Sequence, residues 1–250
     1  MLDATQRASA NAIVDIFEFL DLDPAVNEIV HEDELRYHRH PNGRFDSDIL
    51  LDVFAFGLPA EESVARAQAL SAGAPHWLEP FGAIDDDELR LYAERGYASL
   101  GEWTIMRRTL AERPAGGTIP VELVVDAATE AMLAALHNAR EDVGHRIRPG
   151  QYADARFILC WIPVDGALAA MGQTVIVQNC AYVCEMVTLP DYRRRGYAGA
   201  IFQELLRHAY DRGAREAILV STPMAHELYR SLGFTDVVPI RVFEWRSFAK

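Results

Sequence analysis

Positive charge is in short supply in this chain. Its 24 Lys and Arg stand against 37 Asp and Glu, for a net charge of −13. A protein that grips nucleic acid in general needs a basic face to neutralise phosphates, so the balance disfavours that class. The balance favours cationic or neutral partners, and most of the acid reads as solvated surface. Cysteine is scarcer still. Cys160, Cys180 and Cys184 are an odd, sparse set that makes no disulfide framework. Cys180 and Cys184 also lack the two-residue spacing of a zinc knuckle. They read as buried thiols, and no metal site is expected. Long apolar runs are absent, so no membrane span is expected. Residues 1–11 are polar and lack the apolar stretch of a secretion signal. These absences together point to a reducing cytoplasm.

Half of the 250 residues are apolar, enough for one large core or two small ones. The first half reads as a helix over 2–20, a strand over 35–40, the hairpin signal Pro41-Asn42-Gly43, and a strand over 49–56. Helices over 60–72 and 85–95 follow, stopped by Gly73 and Gly96, and then a strand over 103–110. Arg113-Pro114-Ala115-Gly116-Gly117 punctuates the chain as a linker. It divides the sequence into domains 1–112 and 118–250. Beyond it come a strand over 119–125, a helix over 127–139, and strands over 156–163, 173–177 and 182–189. A helix over 196–212 carries Ala198, Ile201, Phe202, Leu205, Leu206, Ala209 and Tyr210 on one uninterrupted apolar face. A strand over 217–220, a helix over 223–232 capped by Thr222 with Pro223 in its first turn, and an extended end over 237–245 complete it. Strands alternating with helices imply an α/β layered architecture.

Chemistry concentrates where the strand ending at Leu189-Pro190 turns through Asp191, Tyr192, Arg193, Arg194, Arg195, Gly196, Tyr197, Ala198 and Gly199 into the amphipathic helix. Gly196 and the small Ala198 let a bulky anion approach the backbone. The free N–H groups of the first turn and the helix dipole favour phosphate there, and three arginines add charge. Arg193-x-x-Gly196-x-Ala198 resembles the acetyl-coenzyme A signature of the GCN5-related N-acetyltransferase (GNAT) family. Downstream, Leu228-Tyr229-Arg230-Ser231-Leu232-Gly233-Phe234 resembles that family's late helix. The resemblance covers residues 120–246.

The resemblance implies a GNAT fold: a mixed, mostly antiparallel central sheet flanked by helices, with a smaller GNAT-like domain before it. It implies that the strand before the turn parts from its neighbour at a bulge, so that pantetheine lies along Met186, Val187, Thr188 and Leu189. Amides there would stabilise charge developing on the thioester oxygen. The pyrophosphate would sit on Arg194 to Gly199, with Arg193 and Ser221 also on the cofactor. Tyr229 matches the tyrosine that protonates the departing thiolate, a task suited to a group that is still protonated at pH 7. Glu185 is the nearest acid to serve as general base if strand parity aims it into the cleft, with Glu122 and Tyr182 as alternatives. His145, His208 and His226 read as surface.

The first half parallels the second. Leu58-Pro59 matches Leu189-Pro190, and Leu91-Tyr92-Ala93-Glu94-Arg95-Gly96-Tyr97 matches the segment from Leu228 to Phe234. Its turn has no glycine and places Glu61 and Glu62 where phosphates would bind, so it reads as a degenerate copy inactive toward cofactor. It would complete the acceptor cleft, pack on the catalytic half, or form a homodimer surface; an unrelated α/β cap is the alternative. His38 and His40 fall on one strand face, as a metal pair or a surface pair. The function expected is acetyl transfer from acetyl-CoA to a primary amine of a small molecule by direct attack. A non-catalytic acyl-CoA sensor or scaffold is the alternative.

Overall fold

The computed structural model describes residues 1–21, 27–43, 48–139 and 146–246, the side chain of Asp21 excepted. Contacts group the chain into two compact units. One comprises Met1–Met106, Val220–His226 and Asp236–Lys250; the other comprises Arg107–Leu219 and Glu227–Thr235. The final strand therefore belongs with the first half of the chain. Among the described residues, no helix is long and apolar enough to cross a membrane.

The first unit holds α1 (Ala4–Asp21), β1 (Glu28–Glu32), β2 (Leu35–Arg39), β3 (Leu51–Phe56), α2 (Ala60–Ser71), β4 (His76–Phe81), α3 (Asp86–Glu94), most of β5 (Tyr97–Thr109) and β11 (Thr235–Trp245). Its strands run in the order β1-β2-β3-β4-β11-β5. The expected hairpin joins β2 to β3: the two are antiparallel, and the Gly43 N–H bonds the His40 carbonyl at 2.9 Å with Gly43 at φ 82°. Strand alternation sends Leu51, Val53 and Ala55 into one core with Val64 and Ala67 of α2 and Tyr92 of α3. Phe54 turns to the opposite face, where it meets Phe17 of α1 at 6.3 Å. Each such large apolar side chain contributes roughly 1.5–3 kcal/mol by leaving water. Asp85 starts α3 with a complete capping box: its carboxylate takes the Asp87 and Glu88 N–H groups, and Glu88 reaches back to the Asp85 N–H.

The second unit holds β6 (Glu122–Leu123), α4 (Ala127–Asn138), β7 (Phe157–Val164), β8 (Ala167–Val177), β9 (Cys180–Thr188), α5 (Tyr197–Asp211), β10 (Glu216–Ser221) as far as Leu219, and α6 (His226–Ser231) from Glu227. Its strands run β10-β9-β8-β7-β6, with β9 and β10 parallel and the other pairs antiparallel. Met171 of β8 packs in a cluster with Leu133 of α4. A side chain at its neighbour Gly172 would point at Ile201 and Leu205 of α5. Successive strand residues face opposite ways, so α4 and α5 cover opposite faces of this sheet.

Several elements differ from the sequence reading. β1 and β4 were unread, because His76-Trp77-Leu78-Glu79-Pro80-Phe81 breaks the alternation of a half-buried strand. The expected strand over 119–125 shrinks to Glu122–Leu123. Thr222 does not cap α6: the helix starts at His226, and the preceding residues form a turn closed by the Ala225 N–H on the Thr222 carbonyl at 3.1 Å. His38 and His40 are neither exposed nor a metal pair. Both are buried, His38 against Glu18 at 3.1 Å and His40 against Asp52 at 3.1 Å.

Gly172 is where packing is least forgiving. A Cβ there would overlap the Met186 thioether and approach Ile201 at 2.7 Å and Leu205 at 3.0 Å. Gly172→Ala should cost about 1–3 kcal/mol by overpacking and lower the melting temperature by several degrees. Thermal unfolding checks this; an unchanged melting temperature would contradict the packing described.

Candidate active site

The site begins with a change of partner along β9. β9 and β10 are in parallel register at Cys180–Glu216, Ala181–Ala217 and Tyr182–Ile218. The register ends there, while β9 continues to Thr188. On its other side β9 stays paired with β8, but with an irregularity. Cys184 opposes Gln173 and Val187 opposes Met171, so Glu185 and Met186 together face the single residue Gly172. This is a β-bulge, and its extra residue is Glu185, at φ 52°. A left-handed backbone is costly for a residue with a side chain, and such strain tends to gather at functional sites.

Past the bulge, the Leu189 N–H bonds the Ala169 carbonyl at 3.0 Å, and the Leu189 carbonyl accepts from the Tyr192 N–H at 2.9 Å. Backbone groups alternate edges along a strand, so those of Met186 and Thr188 turn away from β8. The Thr188 carbonyl accepts from Arg193 Nε at 3.2 Å. Thr188 thus faces the side on which the helix-opening turn lies.

That turn has two left-handed residues, Arg194 at φ 62° and Gly196 at φ 81°. The first helical bond of α5 runs from the Ala200 N–H to the Gly196 carbonyl at 3.1 Å. The N–H groups of Tyr197, Ala198 and Gly199 precede it, at the positive end of the helix dipole. Space beyond Gly199 is open. Arg193, Arg194 and Arg195 are exposed. Arg195 lies over the Tyr192 ring at 5.6 Å and donates to the Asp191 carbonyl at 3.0 Å. Exposed cations around unbonded amides form a seat for an anion.

Tyr229 of α6 is half-buried, its ring 5.5 Å from Phe202 of α5 and 6.4 Å from Phe234. Burial, and then the nearby Cys184 thiol of β9, push the phenol up to about 12. Glu185 pairs with His137 of α4, Nε2 to Oε2 at 3.0 Å. His137 is wholly buried, and the Glu185 side chain is 9% exposed.

The structure therefore brings Glu185, Met186, Val187, Thr188, Leu189, the arginines, Gly196, Tyr197, Ala198, Gly199 and Tyr229 into the second unit. Ser221 belongs to the first unit, where it is buried and its hydroxyl donates to the Thr222 carbonyl at 3.0 Å. Glu122 is exposed and opposes Trp161 across β6 and β7. Tyr182 is buried. His208 pairs with Glu204 at 3.0 Å and His226 with Asp236 at 2.9 Å, while His145 lies outside the described residues. All three cysteines are thiols, and burial pushes Cys160 and Cys180 up to about 12. Among the described residues, no cluster of His, Cys, Asp or Glu suits a metal.

Sequence reasoning missed His137. The available signal was its spacing. Glu130, Leu133 and His137 fall three and four apart, and this buried stripe of α4 carries two ionisable side chains.

The first unit repeats the order strand, Leu-Pro, helix, strand, helix, strand from β3 to β5. It does not repeat the opening. Its parallel strands β3 and β4 stay in register to their ends, at Phe56–Phe81. Tyr92, the counterpart of Tyr229, is 1% exposed and stacks on Phe243 at 4.1 Å.

Residues 126–234 match the model of the acetyltransferase (GNAT) family. Among solved structures, a GCN5-related N-acetyltransferase from Kribbella flavida is 18% identical, with 99% of this chain and 97% of that chain covered and a TM-score of 0.70. A GCN5-related N-acetyltransferase from Sphaerobacter thermophilus is 17% identical over 96% of this chain and 89% of that one, at a TM-score of 0.59. A functionally unknown conserved protein from Staphylococcus epidermidis is 14% identical over 93% and 98%, at 0.61. At these identities the likeness is one of fold, and it extends over the whole chain. No curated protein matches the sequence. A GNAT domain thus spans residues 126–234, within a chain of mixed α/β fold shared by GNAT structures.

The Tyr229 environment has a measurable signature. The folded protein should hold this proton to about pH 12, whereas an unfolded chain releases it near ~10. Between those values unfolding releases a proton, so stability falls as pH rises, and Tyr229→Phe should flatten that fall. A carbon-detected NMR titration of the tyrosine rings checks it. A Tyr229 midpoint near ~10 would instead place the phenol in water.

Proposed function

We propose that the second unit binds acetyl-CoA and transfers its acetyl group to a primary amine of a small molecule. The observation that carries this reading is the opening of β9 beyond Tyr182, with a bulge at its start and an arginine-ringed helix N-terminus at its end. An extended pantetheine arm fits beside β9 as an added strand, bonding to Met186 and Thr188. A pyrophosphate fits on the amides of Tyr197, Ala198 and Gly199 beneath the three arginines. The left-handed turn at Gly196 brings the backbone close enough for that contact.

Acetyl-CoA bound there supplies an activated carbonyl and a thiolate leaving group. The chain's residues do the rest. Glu185 takes one proton from the ammonium form of the acceptor, leaving the nitrogen lone pair free to attack the carbonyl carbon. Backbone N–H groups beside the bulge stabilise the charge gathering on the carbonyl oxygen. As the carbon–sulfur bond breaks, Tyr229 gives its proton to the sulfur, and the second proton lost from nitrogen restores the phenol through solvent. The sum is one amide, one free thiol and one released proton, without an acetyl-enzyme.

The first unit, in this reading, is a degenerate copy that has lost cofactor binding. Its closed β3–β4 pair leaves no slot, and Glu61 and Glu62 stand in the first turn of α2. Cysteines that stay as thiols are in keeping with a reducing cytoplasm.

Calorimetry with acetyl-CoA should give saturable binding that Gly196→Val weakens at least tenfold, because valine strains the left-handed turn. No binding to the wild type would overturn the reading. A thiol-release screen over an amine library should find acceptors that the wild type turns over. Tyr229→Phe should lower kcat about 10²-fold or more with acetyl-CoA affinity kept. An unchanged rate would remove the proton-donor role, and binding without turnover of any amine would favour a sensor or scaffold.

A further inference from the structure

We infer that His137 is a positioning residue for acetyl transfer, holding the Glu185 carboxylate and the bulge that carries it. The inference rests on the function proposed above and assigns a role to a residue on the opposite side of the sheet from α5.

Glu185 is an awkward residue to keep in place. It is the extra residue of the bulge, its backbone is left-handed, and its carboxylate is almost wholly out of water. A buried carboxylate needs a charged or hydrogen-bonding partner. His137 provides one, with Nε2 at 3.0 Å from Oε2. The pair fixes the direction of the side chain. Through it, the pair also braces the backbone at the bulge, beside Met186, whose backbone groups turn away from β8.

A positioning residue is useful only if it is itself held. His137 stands near the end of a helix pinned at several points. Asp126 caps α4 by accepting the Ala128 and Thr129 N–H groups at 3.0 and 2.8 Å. Glu130, one helical face along, is buried and accepts the Gly150 N–H at 2.6 Å and the Tyr152 N–H at 2.7 Å. Asn138 brackets Ile147, donating to its carbonyl at 2.9 Å and accepting its N–H at 3.0 Å. Leu133 between them is in the core. The imidazole is thus aimed by a frame that has few ways to relax, as second-layer partners of reactive groups commonly are.

The chemical consequence is specific. When Glu185 takes the ammonium proton, its carboxyl still has to point at the acceptor nitrogen, and one oxygen is reserved for His137. The contact at Oε2 limits the ways in which the carboxyl can turn. Without the imidazole that restraint is lost, and the left-handed backbone loses a brace. Losing a brace of this kind lowers kcat and leaves the binding of the cofactor arm along Met186 and Thr188 intact.

The test uses the full chain with acetyl-CoA and an amine found in the thiol-release screen. His137→Leu should lower kcat about 10²-fold while the KM for acetyl-CoA stays within about twofold. His137→Gln, whose amide nitrogen reaches as far as Nε2, should recover most of that loss. In a Glu185→Gln background, His137→Leu should cost nothing further, because both act through one carboxylate. Unchanged kcat, or losses that multiply in the double variant, overturns the inference. Should His137→Leu fail to fold, Gln and Asn serve as the pair. Asn falls short of Glu185, so equal kcat values for the two overturn it. A readout without turnover stands beside these. Amide exchange at residues 185–187 should quicken in His137→Leu or His137→Asn and not in His137→Gln. Unchanged exchange overturns the inference even if no acceptor is found. Failure of the wild type to bind acetyl-CoA overturns the function proposed above instead.

Discussion

One residue too many stands in β9 opposite Gly172, and the second unit is arranged around accommodating it. With the bulge at Glu185, β9 stays paired with β8 on to Met171–Val187, its register shifted by one residue, while it leaves β10 behind after Tyr182. The space for the extra residue comes from the missing Cβ of Gly172, which Met186 covers from the side of α5. The direction of the extra residue comes from His137 on the side of α4. A regular β9 zipped to both neighbours would have its backbone hydrogen bonds satisfied within the sheet. The bulged strand instead turns the backbone groups of Met186 and Thr188 away from β8, and in the function proposed above these receive the cofactor arm by strand addition.

The first unit shows what the same order of elements does without that bulge. β3 and β4 pair to their ends, Leu58-Pro59 leads into a helix whose first turn is acidic, and the tyrosine of the last helix is sunk in the core. Nothing in its backbone is offered to a ligand at the corresponding place. The comparison separates fold from site: strand, Leu-Pro, helix, strand, helix is a scaffold, and function lies in register, glycine placement and charge at one turn.

Much of the candidate site's local geometry was legible in the sequence because its signals are local. Gly196 in a left-handed turn, three arginines and the unbroken apolar face of α5 sit within one stretch of chain, and each has a direct physical reading. Tyr229 was legible from the motif around it. The bulge partner Gly172 and the His137–Glu185 pair were not, because they depend on register between strands and on which face a distant helix presents. No property of Glu185 alone says that its backbone is left-handed or that its partner lies on α4. The same limit explains the smaller misses. β4 hides behind Glu79 and Pro80, and Thr222-Pro223 carries a helix-start pattern that the turn before α6 overrides. The buried pairs His38–Glu18 and His40–Asp52 join residues that no sequence pattern links.

If β9 is held open so that a thioester nucleotide can lie beside it, the contact should be visible amide by amide. Hydrogen–deuterium exchange with and without acetyl-CoA measures this directly. Slowed exchange at Met186 to Thr188 and at Tyr197 to Gly199, with no change at Gly57 to Ser63, is the predicted result. Protection confined to the first unit, or absent from both segments at saturating cofactor, would contradict it.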